Sequence, residues 1–131
     1  AQISVHSPAL SELAGQVCVI TIYIAEAHAC EEWPVGDEHN DGACSMSQAK
    51  TLGGRREAAR HFARELAWPF EIYVDSMEDT FESTFAAWPV RFFIIHTDGA
   101  TIAHVAYPEP KQHTYSIDRL RSALEATLSA K

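Results

Sequence analysis

The sequence predicts an α/β fold of three layers, with helices flanking a mixed central sheet and the chain ending in a β-hairpin followed by a helix. Three observations point there. Val17 to Ile24 is a nearly continuous β-branched run, the kind carried by a strand covered on both faces. Asp98-Gly99 lies between two β-rich runs, a strong hairpin signal. Beyond it, Ile117, Leu120, Leu124 and Leu128 recur at helical spacing behind Ser116, a good helix cap.

Taken in order, Gln2 to Val5 reads as a short strand. Ser7-Pro8 then caps and opens a helix that runs to about Ala14 and stops at Gly15. Val17 to Ile24 is the expected central strand. From Glu26 to Ser45 the chain is polar and carries Pro34, Gly36 and Gly42, so it reads as a long excursion of the sort that is functional or mobile. Ala58, Ala59, Phe62, Ala63 and Leu66 share one face of the next helix, which Trp68-Pro69 ends. Phe70 to Val74 is a strand, and Asp75 leads into a short helical piece with Phe81 and Phe85. After Trp88-Pro89 come a strand at Val90 to Ile95, the turn at Thr97 to Gly99, a strand at Thr101 to Tyr107 and the closing helix. The order is β-α-β followed by α-β-β-α, in one domain over residues 1–131.

Composition bounds the function. A chain of 131 residues with 47% apolar side chains fills one core and not two. No apolar run approaches the roughly 20 residues that a membrane helix needs, so a membrane partner is not expected. Eighteen acidic against ten basic residues give a net charge of −8, which argues against nucleic acid as a partner. Arg55, Arg56, Arg60 and Arg64 are interleaved with Glu57 and Glu65 and read as a solvated helix face.

The three cysteines, Cys18, Cys30 and Cys44, include no Cys-x-x-Cys. Cys18 reads as a small core residue of its strand. Free thiols are the expectation for Cys30 and Cys44, with a disulfide the alternative in an oxidising compartment. His28, Cys30, Asp37, His39 and Cys44 are ligand types, but His-x-Cys-x8-His-x4-Cys is no recognised zinc spacing, so no metal and no cofactor are expected. His6 beside Ser7 is a poor hydrolase pair, because neighbours on a strand point to opposite faces. His61 and His96 read as fold residues, His104 and His113 as surface ones.

Several segments resemble a known family in register. Tyr23-Ile24-Ala25-Glu26-Ala27-His28, with Trp33 five residues on, is similar to the strand end and following Trp of the iodothyronine deiodinases and their bacterial deiodinase-like relatives. Arg55 to Ala59 with Phe62 resembles the family's helix, and Val74-Asp75-Ser76-Met77-Glu78 its Val-Asp-x-Met segment. Trp88-Pro89-Val90-Arg91-Phe92 resembles its Leu-Pro-Glu-Arg-Leu, and Tyr115 to Arg121 its C-terminal helix. The likeness runs over roughly residues 17 to 124. It implies the thioredoxin fold of the redoxin-like branch, with Pro89 in the place of that fold's cis-proline.

The resemblance also implies a site. Glu26 and His28 would assist proton transfer, and Tyr23, Trp33, Trp88, Pro89 and Arg91 would shape a pocket for a small-molecule or thiol substrate. Two departures stand against it. The family places selenocysteine or cysteine just before a proline at the first helix, and this chain offers Ser7 in Ser7-Pro8. A family histidine ahead of the Arg55 helix falls near Ala49 and is absent. Reductive dehalogenation and thiol exchange need a soft nucleophile that is largely ionised near neutral pH, which a hydroxyl is not.

The expectation is therefore a deiodinase-like thioredoxin-fold protein, a thiol- or selenol-type oxidoreductase whose redox residue is missing or replaced at Ser7. An engineered Ser7, a nucleophile upstream of Ala1, or a displaced one at Cys30 are the routes that would preserve catalysis. The alternative is a non-catalytic module that binds a small molecule or peptide in the Glu26/His28/Pro89 cleft. A homodimer is compatible with the sequence, and localisation stays open, with the cytoplasm slightly favoured.

Overall fold

A computed structural model describes residues 17–32, 46–108 and 115–130. The predicted strand at 2–5 and helix at 8–14 lie outside the described residues, as do Ser7, Trp33, Asp37, His39, Cys44 and His113. The elements are β1 (Ile20–Tyr23), α1 (Leu52–Glu65), β2 (Glu71–Val74), α2 (Thr80–Phe85), β3 (Phe92–Ile95), β4 (Ile102–Ala106) and α3 (Ile117–Ser129). Their order is the predicted one, and the fold is mixed α/β, in keeping with a thioredoxin-like architecture. Two compact units divide them, Val19–Pro89 and a second that follows from Val90.

In the first unit β1 and β2 pair in parallel, Ile20 opposite Glu71 through Tyr23 opposite Val74. Parallel neighbours need a crossover, and α1 supplies it. The Asp75 N–H extends the ladder by donating to the Tyr23 carbonyl at 2.9 Å. The strand is shorter than its β-branched run and less covered than that run suggests, with Ile20 55% exposed. Among the described residues its strand partner is β2. Cys18 precedes the strand and is an exposed free thiol, not a core residue.

Aromatic packing holds α1 to the sheet. The Phe62 ring lies 5.9 Å from Tyr23 and 5.3 Å from Trp68, and Trp68 lies 5.6 Å from Phe70. Such pairs add about 0.5–1.5 kcal/mol each beyond the area they bury. Trp68 also donates its indole N–H to Thr21 Oγ1 at 2.9 Å, so its polar edge is satisfied against β1.

α1 starts at Leu52, six residues before Ala58, the first residue of the apolar face named from the sequence. Thr51 Oγ1 caps it by accepting the Gly54 N–H at 3.1 Å. Gly53 and Gly54 each cost about 1 kcal/mol relative to alanine inside a helix, and the cap offsets part of that. The helix ends before Trp68-Pro69. Ala67 takes φ +45°, its N–H reaches the Arg64 carbonyl at 3.2 Å, and the Trp68 N–H reaches the Ala63 carbonyl at 2.9 Å. This is the left-handed helix stop at which glycine is the usual residue.

One reading of the arginines is corrected here. Arg56, Arg60 and Arg64 are exposed, but Arg55 is only 3% exposed. It stands three and four residues before Ala58 and Ala59, and seven before Phe62, so it shares the inward face. His61 likewise sits on the outer face near Glu65, 3.9 Å away, and is not a core residue.

In the second unit β3 and β4 pair antiparallel, with an irregularity between Ile94 and Ile95. Ile94 and Leu120 are its buried apolar residues. α3 is capped by Ser116 Oγ, which accepts the Arg119 N–H at 3.3 Å, as its sequence predicts. The Asp98 carboxylate organises the hairpin turn. Its Oδ1 accepts the N–H groups of Ala100 and Thr101 at 2.8 and 2.9 Å, and its Oδ2 accepts the Thr101 hydroxyl at 2.7 Å. Gly99 supplies the φ of +70° that the turn requires.

Two predictions follow from these local structures. Replacing Ala67 with glycine removes the left-handed strain and should stabilise the protein by about 0.5–1 kcal/mol in denaturant unfolding; a destabilised A67G would refute the strain. The Thr101 and Ala100 donors hold the Asp98 carboxyl at about 2. A carboxyl so depressed stabilises the fold above the ordinary value near 4 and loses that contribution as pH falls toward 2. Asp98→Ala should therefore lower the melting temperature at pH 7 and flatten its decline between about pH 4 and 2; an acid limb identical to wild type would contradict the role of the turn.

Candidate functional site

β1 ends at Tyr23, and the chain then turns through Glu26 at the carboxyl end of the parallel pair, where open α/β sheets present their ligand-binding loops. Tyr23 donates its phenolic O–H to Glu26 Oε1. The Met46 sulfur lies 3.9 Å from the same hydroxyl, so this acid sits against a thioether and an aromatic ring. Burial pushes the half-buried Glu26 carboxyl above the usual carboxylate range, opposed by the positive charge of Arg55.

The backbone of Glu26 is held as well. Gln48 Oε1 accepts the Glu26 N–H at 3.0 Å, and Gln48 Nε2 donates to the Glu26 carbonyl at 3.2 Å. The Gln48 N–H donates to Glu31 Oε2 at 3.1 Å, and the Cys30 N–H donates to the Met46 carbonyl at 2.9 Å. Residues 46–48 therefore lie along the turn from 26 to 32.

Beneath it, Arg55 joins α1 to the loop after β2. Its guanidinium donates to the carbonyls of Ser76 and Asp75 and pairs with the Asp79 carboxylate at 2.7 Å. Asp75, 6% exposed, caps α2. Its Oδ1 accepts the N–H groups of Ser76 and Phe81 at 2.8 and 2.9 Å, and its Oδ2 accepts that of Glu82 at 3.0 Å. Desolvation pushes the Asp75 carboxyl up, but the N–H groups of Glu82, Phe81 and Ser76, with Arg55, outweigh it and hold it below the usual range. Glu82 is displaced upward by desolvation and by the charges of Asp79 and Asp75.

Of the residues named from the sequence, the structure brings Tyr23 and Glu26 into direct contact. His28 follows on the exposed side of the turn. Trp88 and Pro89 close the first unit, and the bond between them is cis, as the resemblance implies. Arg91 belongs to the second unit. There it donates to the Val90 carbonyl at 2.7 Å and the Tyr115 hydroxyl at 3.3 Å, with its guanidinium 5.3 Å from the Tyr107 ring centroid. Ser7 and Trp33 lie outside the described residues. Cys30 is disulfide-bonded, which replaces the expectation of a free thiol there. Among the described residues no group of three His, Cys, Asp or Glu side chains could hold a metal ion.

Gln48, Arg55 and Asp75 are the contributors that the sequence reading passed over. Arg55 had a usable signal in its helical register with Ala59 and Phe62. Asp75 had one as an Asp immediately after a strand and before a helical segment. Gln48 had none, because its partners are backbone groups 22 residues away.

A parallel β-α-β unit, a cis-proline, and an antiparallel hairpin with a closing helix are the parts of a thioredoxin-like α/β protein. No helix among the described residues is long and apolar enough to cross a membrane. The iodothyronine deiodinase family model matches residues 1–128, and the chain belongs to that family. No curated protein matches it.

The raised Glu26 carboxyl has a stability consequence of definite sign. A carboxyl raised on folding favours the folded state fully below its unfolded value, near 4.3, and that advantage is lost as pH rises through the folded value. Glu26→Gln keeps an oxygen for the Tyr23 hydroxyl and removes the ionisation. The melting temperature of the variant relative to wild type should therefore climb between about pH 4 and 7; a constant difference would mean that Glu26 titrates as a solvated acid.

Proposed function

We propose that this protein is a deiodinase-type oxidoreductase scaffold in which Glu26 handles the proton, and whose turnover requires a selenol or thiol at position 7, where this chain carries Ser7. The observation that carries the reading is the Tyr23–Glu26 pair at the end of β1. Reductive dehalogenation removes a halogen from carbon onto a soft nucleophile and puts a proton on the carbon. Burial raises the Glu26 carboxyl, so at a given pH a larger fraction of it holds a proton than of a solvated acid, which suits it to that transfer. His28, two residues on, is the second proton carrier in this reading, and Tyr23 holds the acid in place. Trp88 and Pro89, which belong to the same unit as Glu26, would shape the pocket for a small aromatic substrate.

Ser7 itself favours a second reading. Its hydroxyl is neither soft nor ionised near pH 7, so the same pocket, left as it stands, would bind a small molecule or peptide without turning it over.

Iodide release from an iodothyronine, with dithiothreitol as reductant, separates the two. The chain as it stands should remain at background, and Ser7→Cys should release iodide. Adding Glu26→Gln to Ser7→Cys should slow that release by about 10²–10⁴-fold. A Ser7→Cys variant that binds the iodothyronine and still releases no iodide would overturn the catalytic reading in favour of the binding module.

A further inference from the structure

We infer that Gln48 is the positioning residue of the Glu26 site, its carboxamide meeting the Glu26 backbone just beyond the end of β1 as a neighbouring peptide group would. The inference rests on the reading of Glu26 as the functional acid, and extends it to a residue that reading does not include. β1 stops at Tyr23, and the ladder to β2 closes with the bond from the Asp75 N–H to the Tyr23 carbonyl. Three residues later, the Glu26 N–H and carbonyl have no strand beside them among the described residues. Gln48 meets both at once, with Oε1 at 3.0 Å from the N–H and Nε2 at 3.2 Å from the carbonyl.

Only a carboxamide offers an acceptor and a donor side by side in the order that a neighbouring peptide group would. Asparagine is one methylene shorter. Glutamate keeps the acceptor, loses the donor, and brings a negative charge against Glu26. The glutamine is itself anchored through its backbone N–H to Glu31 Oε2, and its Nε2 lies 3.4 Å from Glu32 Oε1. Fixing the Glu26 backbone from this side leaves its carboxyl to Tyr23, so the acid is held at both ends. Among the described residues, Tyr23 on β1 and Arg55 on α1 are the titratable and charged groups that act on the Glu26 carboxyl, and Glu31 and Glu32 on the turn face Gln48.

The test uses the full-length chain, with amide hydrogen exchange at Glu26 and carbon-detected titration of its carboxyl, the resonance being identified by its loss in Glu26→Gln. In Gln48→Ala the Glu26 amide should exchange about tenfold faster, with the Asp75 amide unchanged. The carboxyl should titrate closer to its ordinary value as water enters. In Gln48→Glu the Glu26 amide should stay protected while the carboxyl titrates higher than in wild type, as a second carboxylate faces it. In the Ser7→Cys background, Gln48→Ala should lower kcat and shift its pH profile in the direction in which the carboxyl moved.

Wild-type exchange and titration of Glu26 in Gln48→Ala would overturn the assignment. Should that variant unfold, shown by lost protection at Asp75, Gln48→Glu decides: a Glu26 titration unmoved from wild type refutes the role. An inert Ser7→Cys variant would defeat the catalytic reading alone, since exchange and titration report on Gln48 without turnover.

Discussion

The first unit depends on one buried cation. Arg55 is withdrawn from water on α1 and meets two backbone carbonyls and the Asp79 carboxylate, with the charge of Asp75 close by. Taking a guanidinium out of water costs several kcal/mol, and only good geometry with its hydrogen bonds met recovers that. The loop between β2 and α2 is therefore constrained to present its carbonyls and its acid to one point. Asp75 completes the arrangement from the other side by accepting the Phe81 and Glu82 N–H groups of the first turn of α2 and that of Ser76 before it. Helix, strand end and following helix are tied at a single charge, and Glu26 lies within reach of its field.

That arrangement separates the roles of neighbouring carboxylates. Asp75, rich in donors, is kept ionised; Glu26 and Glu82, with burial dominant, are pushed toward protonation. One arginine thus stands among acids of opposite tendency, so a carboxylate kept ionised and one pushed toward protonation share a single small unit.

Much of the fold was legible in the sequence because it rests on local signals. The Asp98-Gly99 turn, the Ser116 cap and the 117–128 stripe state their conformations within a few residues. The cis bond before Pro89 was reached through the family likeness and not through any local propensity. Other features were hidden because they are decided at a distance. Arg55 looks like its exposed neighbours until the helix is placed against the β2 loop. The start of α1 is masked by Gly53-Gly54, whose cost is opposed by a threonine cap. Of the site, the Tyr23-to-His28 motif was readable as a string, whereas the hold of Gln48 on Glu26 links backbone to side chain across a long excursion and leaves no periodic trace.

The disulfide at Cys30 bears on the environment the protein tolerates. Cys30 stands on the turn that carries Glu26 and His28, four residues beyond the acid, and its N–H meets the Met46 carbonyl. A deiodinase-type cycle draws its electrons from thiols, and those same donors attack disulfides. Thiols strong enough to reduce the one at Cys30 would free its sulfur on the turn that presents Glu26, so the redox level of the surroundings bears on how firmly that turn is held.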